Sequence, residues 1–440
     1  MLKRFGVTNF SSFRGEQVFD MTAGTTKVLA DHAIDFGDVK ILKSAVIYGA
    51  NASGKSNLVK AIDFSKSVVI KDLSNIETYK KHFRLCNESY KKDSSFEFEI
   101  NINGRFFSYG FSLLLKEKTI KEEWLVEIGK GKPNILFQRT GNDITLGAKL
   151  SSDTSSRTRL EIYIDDMKNQ KSRLFLTEIA EKKLDLEIIS PINDIFNWFK
   201  NKLIIMYPDS KFGGVRLINK NFAEQLSHYL SSFDTGVVSV SSIEEDFEEA
   251  FKGLPEDLKA GVEEEVSKAK SGKVMVQGIG ANPQFLTVYK NEDDELKVKK
   301  LGLVHGKEIK ETFELHEESD GTLRLLDFIP LIDRFSSGCT IVIDEFDRSL
   351  HPKLTREFMT LFHKLSTDSS QLIVTTHEST LLDLDLIRRD EIWFVDKGDD
   401  DSSNIFSLNK FQVRYDTKIE KAYLLGRYGA VPIFNTFNNI

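Results

Sequence analysis

Residues 49–56 have the types and the spacing needed to bind a polyphosphate. They read G-A-N-A-S-G-K-S and fit the phosphate-loop pattern G-x-x-x-x-G-K-[ST] at every fixed position. The two glycines let phosphate oxygens approach the bare backbone and the N-terminus of the helix that follows. Lys55 is expected to reach the β- and γ-phosphates, and the Ser56 hydroxyl is expected to ligate Mg²⁺. The residues predicted to bind the nucleotide are Gly49, Ala50, Asn51, Ala52, Ser53, Gly54, Lys55, Ser56 and Asn57.

Two adjacent acids, much later in the chain, could complete such a site. The apolar residues 340–343 form a predicted strand that ends in Asp344 and Glu345. A carboxylate at the end of a strand beside the phosphate loop would hold Mg²⁺, directly or through water, and we assign this role to Asp344. Glu345 is placed to orient and deprotonate the attacking water.

A histidine follows the next predicted strand. Residues 371–375 are apolar enough for a buried strand, and His377 comes two residues after its end. A histidine in this position is more often structural than catalytic. Here its strand is expected to lie against the strand that carries Asp344, so the His377 imidazole could hydrogen-bond the γ-phosphate or the water.

These residues need a parallel sheet to bring them together. Residues 45–48 predict a short buried strand, and the helix after the phosphate loop places Leu58, Ala61 and Ile62 on one face. Near the other end, predicted helices over 322–333 and 354–365 alternate with buried strands, which indicates a mainly parallel α/β sheet.

The rest of the chain predicts an antiparallel section and an insertion. Residues 95–115 alternate as two strands joined at Asn103-Gly104, a strong hairpin signal. Residues 183–203 and 243–270 predict helices; in the second range, Phe247 with Phe251 and Leu258 with Val262 and Val266 lie four residues apart. We therefore divide the chain into an N-terminal half-domain (1–150), a mainly helical insertion (151–305) and a C-terminal half-domain (306–440).

Composition sets the broad class of the protein. The 440 residues are 40% hydrophobic and 29% charged, as in a soluble globular protein, and the net charge of −7 argues against a wholly basic nucleic-acid wrapper. No run is long and apolar enough for a membrane span, and the N-terminus lacks the apolar stretch of a signal peptide, so the cytoplasm is the expected location. Cys86 and Cys339 suit neither a disulfide framework nor a metal site.

Four motifs together resemble the ABC-type ATPase heads of the SMC, RecF and OLD group: V-T-N-F-S-S-F, G-A-N-A-S-G-K-S, V-I-D-E-F-D-R-S-L-H-P and V-T-T-H. The resemblance implies an ABC-type P-loop fold, ATP and Mg²⁺. It also implies a signature motif at Ser319, Asp320 and Gly321, a D-loop at Asp347 and a switch role for His377. The S-D-G-T form and the tail at 420–432 are similar to RloA-type and abortive-infection (AbiL-type) ATPases.

Such heads hydrolyse ATP and close as a pair with two ATP molecules between them, so the resemblance implies a homodimer or a higher homo-oligomer. It further implies a sensor or regulator of a separate effector, a nuclease or toxin, in prokaryotic antiviral defence. One alternative is an OLD-like nuclease, although only about sixty residues follow His377, too few for the extra module. Another is a RecF-type repair clamp, which needs a basic track for DNA; residues 297–300 are Lys-rich but equally suit a solvated face.

Overall fold

The computed structural model of the chain describes all residues except 130, 153, 185, 211–219, 270–272, 278–284, 368, 412–417 and 433–440. The chain divides into two compact units, which are described separately. The first comprises Met1–Pro208, Arg334–Asp347 and Thr355–Ile440. The second comprises Asp209–Asp333 and Arg348–Leu354.

Strands are found along most of the described chain. In chain order they are β1 (Leu2–Thr8), β2 (Gln17–Asp20), β3 (Ala33–Asp35), β4 (Lys40–Leu42), β5 (Ser44–Tyr48), β6 (Ser94–Ile102), β7 (Arg105–Leu114), β8 (Thr119–Ile128), β9 (Asn134–Thr140), β10 (Asp143–Leu146), β11 (Leu203–Met206), β12 (Val237–Asp246), β13 (Lys273–Gln277), β14 (Phe285–Lys290), β15 (Leu296–His305), β16 (Glu311–Glu314), β17 (Thr340–Ile343), β18 (Gln371–Thr375), β19 (Ile392–Lys397) and β20 (Ser403–Ser407).

The α-helices, again in chain order, are α1 (Lys55–Ile70), α2 (Thr154–Met167), α3 (Phe175–Glu181), α4 (Ser190–Asn197), α5 (Lys220–Ser232), α6 (Phe247–Ala250), α7 (Glu256–Lys268), α8 (Asp320–Phe335), α9 (Pro352–Leu365) and α10 (Ile419–Leu424). Helix α4 continues into a π-helical turn over Trp198–Lys202.

A mixed sheet in the first unit orders its described strands β11-β17-β18-β5-β19-β20. The pairs from β11 through β19 are parallel, and β20 returns antiparallel beside β19. Every residue of β5, β17 and β18 is buried, which explains their continuous apolar sequences. Because the strands are parallel, the loops after β5, β17 and β18 emerge at one edge of the sheet.

A second sheet of the first unit is antiparallel, in the order β10-β9-β8-β7-β6-β1-β2 over the described strands. The predicted hairpin is confirmed: β6 and β7 meet at Asn103 and Gly104, whose φ angles are 52° and 80°. Those left-handed angles are the ones a two-residue turn with this sequence adopts. Helix α1 buries Leu58 and Ile62 in the hydrophobic core that also contains residues of this sheet.

The second unit contains an antiparallel sheet in addition to the helices predicted for the insertion. Its described strands β12, β15, β14 and β13 pair in that order, and β16 adds to β15. Residues 243–246, predicted to be helical, lie in β12, whereas α7 confirms the helical pattern of Leu258, Val262 and Val266.

The predicted boundaries also differ from those of the compact units. Residues 151–208 belong to the first unit because Phe175, Ile192 and Phe199 lie in its core. The second unit continues past residue 305 to Asp333.

Candidate nucleotide-binding site

The loop after β5 has the tight backbone that a phosphate site requires. A Cβ at Gly49 would lie 2.4 Å from the Val395 carbonyl oxygen and 2.5 Å from Ser53 Oγ, so no larger residue fits. Gly54 caps α1 with a φ of 116°, a conformation that only glycine adopts readily. Asn51 and Ala52 are exposed at the tip of the loop. The predicted strand–loop–helix is therefore present.

Lys55 lies inside its own loop. Its ammonium group donates to the carbonyl oxygens of Gly49 at 2.8 Å and Ala50 at 3.2 Å, and the residue is only 6% exposed. Burial lowers the pKa of Lys55 to about 8, and the nearby carboxylates of Asp344, Asp347 and Glu345 oppose that shift. The structure thus brings the Lys55 ammonium close enough to the carboxylates after β17 for their charges to interact.

Ser56 and Asp344 are in direct contact. The Ser56 hydroxyl donates to Asp344 Oδ1 at 3.2 Å, across 288 positions of sequence. In the sheet, β18 separates the strands that precede these two residues. A hydroxyl and a carboxylate oxygen are the two protein ligands expected for Mg²⁺ in a phosphate-loop site.

Two threonines that the sequence analysis did not single out connect the acidic segment to β18. Thr375 Oγ1 donates to Asp344 Oδ1 at 2.6 Å and accepts from the Glu345 N–H at 2.9 Å. Thr376 Oγ1 donates to Asp347 Oδ1 at 2.7 Å. The sequence signal was available, because V-T-T-H places two hydroxyl side chains at the end of an apolar strand, where they can hydrogen-bond the acids that follow the neighbouring strand.

Glu345 and His377 lie at the same edge of the sheet. Glu345 is half-buried and has a φ of 49°, a left-handed conformation that costs a non-glycine residue about 1–2 kcal/mol. His377 is exposed, and its backbone N–H donates to Asp347 Oδ1 at 3.2 Å. Partial burial of the ring and the positive charge of Lys55 lower the pKa of His377. The ring is therefore neutral near pH 7, with one nitrogen able to donate and one able to accept.

The predicted signature residues lie in the second unit. Ser319 caps α8, because its hydroxyl accepts from the Thr322 N–H at 3.1 Å. Ser319 and Asp320 are exposed. A Cβ at Gly321 would lie 3.0 Å from the Ser349 carbonyl oxygen, so glycine lets the turn pack against the segment after the acids. By contrast, the residues described above around Lys55 all belong to the first unit.

The loop residues fit a Mg²⁺–nucleotide complex. Ser53 Oγ is buried and has no hydrogen-bond partner within the described residues, as expected of a group that faces a ligand. Lys55 supplies a cation for phosphate oxygens, and Ser56 with Asp344 supplies hard oxygen ligands for Mg²⁺. The two glycines leave the backbone accessible to phosphate.

A separate group of potential ligands is not arranged for metal. His32 Nδ1 lies 3.1 Å from Glu391 Oε2, and His363 Nε2 lies 3.1 Å from Ser44 Oγ. The two imidazoles stack with centroids 3.4 Å apart and an interplanar angle of 4°. An ion cannot lie in both parallel ring planes, as imidazole ligation requires. The Glu391 carboxylate also accepts from Ser44 Oγ at 2.7 Å, so we interpret the group as a buried hydrogen-bonded cluster.

The sheet order and this loop define a P-loop nucleotide-binding protein of the α/β class. A sequence model of the family described as "AAA domain, putative AbiEii toxin, Type IV TA system" matches residues 44–383. The match spans more than half of the chain, which therefore belongs to this family. No protein in the curated set matches the sequence.

Several solved structures are similar at low identity. An SMC head bound to the C-terminal winged-helix domain of ScpA is 15% identical, covers 93% of this chain and 98% of its own, and has a TM-score of 0.40. The SMC head domain from Thermotoga maritima is 12% identical, covers 94% and 99%, and has a TM-score of 0.36. An SMC head from Pyrococcus furiosus with an extended coiled coil is also 12% identical, covers 93% and 97%, and has a TM-score of 0.40.

The predicted α/β P-loop fold with an antiparallel section is confirmed by the strand order given above. Across the part of the chain that the structure describes, no helix is both long and apolar enough to span a bilayer.

Proposed function

We propose that the protein is a Mg²⁺-dependent ATPase with its active site in the first unit. The observation that carries this proposal is the 3.2 Å contact between Ser56 Oγ and Asp344 Oδ1. It joins the phosphate loop to the acidic strand, as a Mg²⁺–nucleotide complex requires. Membership in an AAA domain family supports the same activity. The sequence contains no N-K-x-D guanine-reading motif, so adenine is the expected base.

Each residue of the site has a distinct role in this proposal. Lys55 binds phosphate oxygens, and Ser56 with Asp344 would hold Mg²⁺. Mg²⁺ when bound neutralises charge on the β- and γ-phosphates. Glu345 accepts the proton of the attacking water, and the neutral His377 ring hydrogen-bonds that water or the γ-phosphate.

The direct test compares the wild-type protein with Lys55→Ala. We expect wild-type protein to bind ATP and hydrolyse it. Lys55→Ala should lose both properties, because the phosphate loop then lacks the cation that binds phosphate oxygens. Lys60→Ala is the matched control, since Lys60 is exposed on the same helix. Calorimetry and a phosphate-release assay measure binding and turnover. Wild-type protein that binds no nucleotide would refute the proposal.

We further propose that two copies close around ATP. In this arrangement the turn at Ser319, Asp320 and Gly321 of one copy meets the nucleotide of the other, and Asp347 lies near the junction. The exposure of Ser319 and Asp320 at the N-terminus of a 16-residue helix supports the proposal, because helix N-termini favour phosphate. Ser319→Arg should abolish ATP-dependent dimers in light scattering, whereas Ser231→Arg, at an exposed site of the same unit, should not.

We infer that the ATPase regulates a separate effector in antiviral defence, within the RloA-type or AbiL-type subgroup. The tail that carries the subgroup resemblance belongs to the first unit and packs against its other residues: Ser379 Oγ donates to Glu420 Oε1 at 2.9 Å, and Tyr423 stacks on Phe394. The family description, which names a type IV toxin–antitoxin system, also supports a defence role. Co-purification from the native host should recover an effector. DNA or RNA cleavage by the protein alone would contradict this inference.

The lysines within residues 297–300 form ion pairs with acidic side chains, so their charges are neutralised. Lys297 pairs with Asp246 at 2.5 Å and Lys299 with Glu244 at 3.5 Å across the β12–β15 ladder, and Lys300 pairs with Glu245. Lysines already paired with acids neutralise few DNA phosphates, so they release few of the counterions condensed on DNA. Residues 297–300 therefore give no support to a DNA-binding repair clamp. A steep rise of ATPase activity with duplex DNA would reverse that judgement.

A further inference from the structure

Ser403 contacts the phosphate loop from outside the sequence motif. Its hydroxyl lies 2.5 Å from the Ser53 carbonyl oxygen, although the two residues are 350 positions apart. Ser403 opens β20 and is fully buried. The Ser53 carbonyl belongs to the same peptide group as the N–H of Gly54, at the end of the loop where α1 begins.

The Ser403 hydroxyl is one link in a chain of hydrogen bonds. Asn57 Nδ2 donates to Ser12 Oγ at 2.8 Å, and Ser12 Oγ lies 2.7 Å from Ser403 Oγ. Each hydroxyl has one hydrogen to give. The Ser53 carbonyl can only accept, so Ser403 gives its hydrogen to Ser53 and accepts the hydrogen of Ser12. The bonds therefore run in one direction, from Asn57 through Ser12 and Ser403 to Ser53.

The backbone holds this chain in place. The Ser403 N–H donates to the Ser12 carbonyl oxygen at 2.8 Å, so the two serines are joined twice. A Cβ at Gly54 would lie 2.1 Å from Ser403 Oγ and 2.8 Å from Ser12 Oγ. The second glycine of the motif therefore makes room for the two hydroxyls as well as for phosphate. Ser12 lies in V-T-N-F-S-S-F, whose contribution to the site was otherwise unexplained.

We propose that Ser403 and Ser12 are positioning residues for nucleotide binding. A hydrogen bond to the Ser53 carbonyl fixes the plane of the Ser53–Gly54 peptide and strengthens its N–H as a donor, because bonds in a chain polarise one another. The Gly54 N–H is then preset to donate to a phosphate oxygen. This inference rests on the proposed nucleotide site.

The test measures the affinity for ADP and ATP together with steady-state turnover. We expect Ser403→Ala to raise the Kd for both nucleotides about tenfold, the effect of weakening one hydrogen bond to a charged group. KM for ATP should rise in parallel while kcat stays within about twofold, because the groups that perform hydrolysis are untouched. A purely structural defect would lower kcat and the unfolding midpoint as well.

Two further variants sharpen the result. Ser12→Ala should shift Kd in the same direction by a smaller factor, and Ser12→Ala/Ser403→Ala should bind no worse than Ser403→Ala, because the chain is already broken. Ser402→Ala is the matched control, since the Ser402 hydroxyl donates to Asp400 Oδ1 at 2.6 Å in the same turn.

The possible failures are distinguishable. If wild-type protein and Lys60→Ala bind no nucleotide, the proposed ATPase function fails. If wild-type protein binds ADP and Ser403→Ala binds it equally well, only the positioning role is overturned. Additive losses of nucleotide affinity in the double variant would likewise overturn the proposed hydrogen-bond chain, because they would show that Ser12 and Ser403 make two independent contacts.

Discussion

Thr375 holds Asp344 in place: its hydroxyl donates to Asp344 Oδ1 at 2.6 Å and also accepts from the Glu345 N–H at 2.9 Å. One side chain of β18 therefore orients both acids that follow β17. The left-handed backbone of Glu345, with a φ of 49°, is maintained against its cost by this bond and by the bond from the Phe346 N–H to the Thr375 carbonyl oxygen.

Thr375→Val should therefore impair catalysis more than binding. Valine keeps the shape of threonine but leaves the Glu345 N–H and the Asp344 carboxylate without their shared partner. We expect kcat for ATP to fall about tenfold or more, the cost of losing a hydrogen bond to a charged group, and Kd to change little. Thr360→Val, at an exposed position of α9, is the control. Unchanged kcat would show that Thr375 does not position the acids.

Glu345→Gln should retain ATP without hydrolysing it. The amide is nearly the same size as the carboxylate but cannot accept the proton of the attacking water. We expect tight ATP binding, loss of phosphate release, and accumulation of the closed pair in light scattering. Glu357→Gln, on the exposed face of α9, should behave as wild type. Loss of nucleotide binding in Glu345→Gln would contradict the role assigned to Glu345.

Stability should fall as the pH drops below about 6.5 because of His363. Burial, together with the nearby His32 and Lys43, lowers the pKa of His363 to about 2. The unfolded chain takes up a proton below the ordinary value of 6.5, whereas the folded protein does not. The free energy of unfolding therefore falls with falling pH, by at most about 1.4 kcal/mol per pH unit from this group.

Urea unfolding between pH 7 and pH 5 measures this dependence. His363→Gln should flatten the profile, because the group that protonates only in the unfolded state is gone. His228→Gln, at an exposed position, should leave the slope unchanged. Equal slopes in wild type and His363→Gln would show that other groups cause the dependence.

Glu123 should be a stability residue of the first unit. Its buried carboxylate accepts from the N–H groups of Phe175 at 2.7 Å and Leu176 at 3.0 Å, at the start of α3. Burial raises the pKa of Glu123, and the Leu176 N–H and the charge of Arg139 oppose that shift. Glu123→Ala leaves these buried donors without their acceptor and removes the negative charge near Arg139, so we expect a loss of about 3 kcal/mol in the free energy of unfolding. Glu122→Ala, at the exposed neighbouring position, should cost less than about 0.5 kcal/mol in the same urea titration.

Sequence reasoning located the parts of the site that local patterns encode. A phosphate loop, a strand that ends in two acids and the hairpin at Asn103-Gly104 each carry their signal within a few residues, and the structure contains all three. Parallel pairing then follows from continuous apolar strands. The contact between Ser56 and Asp344 was predictable on that basis.

Contacts made by isolated polar residues were not predictable. Ser403 lies at the start of an edge strand in a serine-rich turn, and no local pattern links it to a loop 350 positions earlier. The end of strand β12, residues 243–246, was predicted to be helical because Phe247 and Phe251, just after it, lie four residues apart, as on one face of a helix. Cross-strand pairing with the lysines of β15 stabilises the strand conformation of these residues. Local secondary-structure propensity contains no information about a partner strand that lies elsewhere in the sequence.

The position of β5 in its sheet has a consequence for biosynthesis. Its two ladder partners, β18 and β19, are translated more than three hundred residues after it, so the pocket beside β5 closes only after both of these strands have left the ribosome. Contacts of such long sequence separation form slowly and late. A translation product interrupted before Asp344 therefore carries the glycine loop without the acids that complete the candidate site.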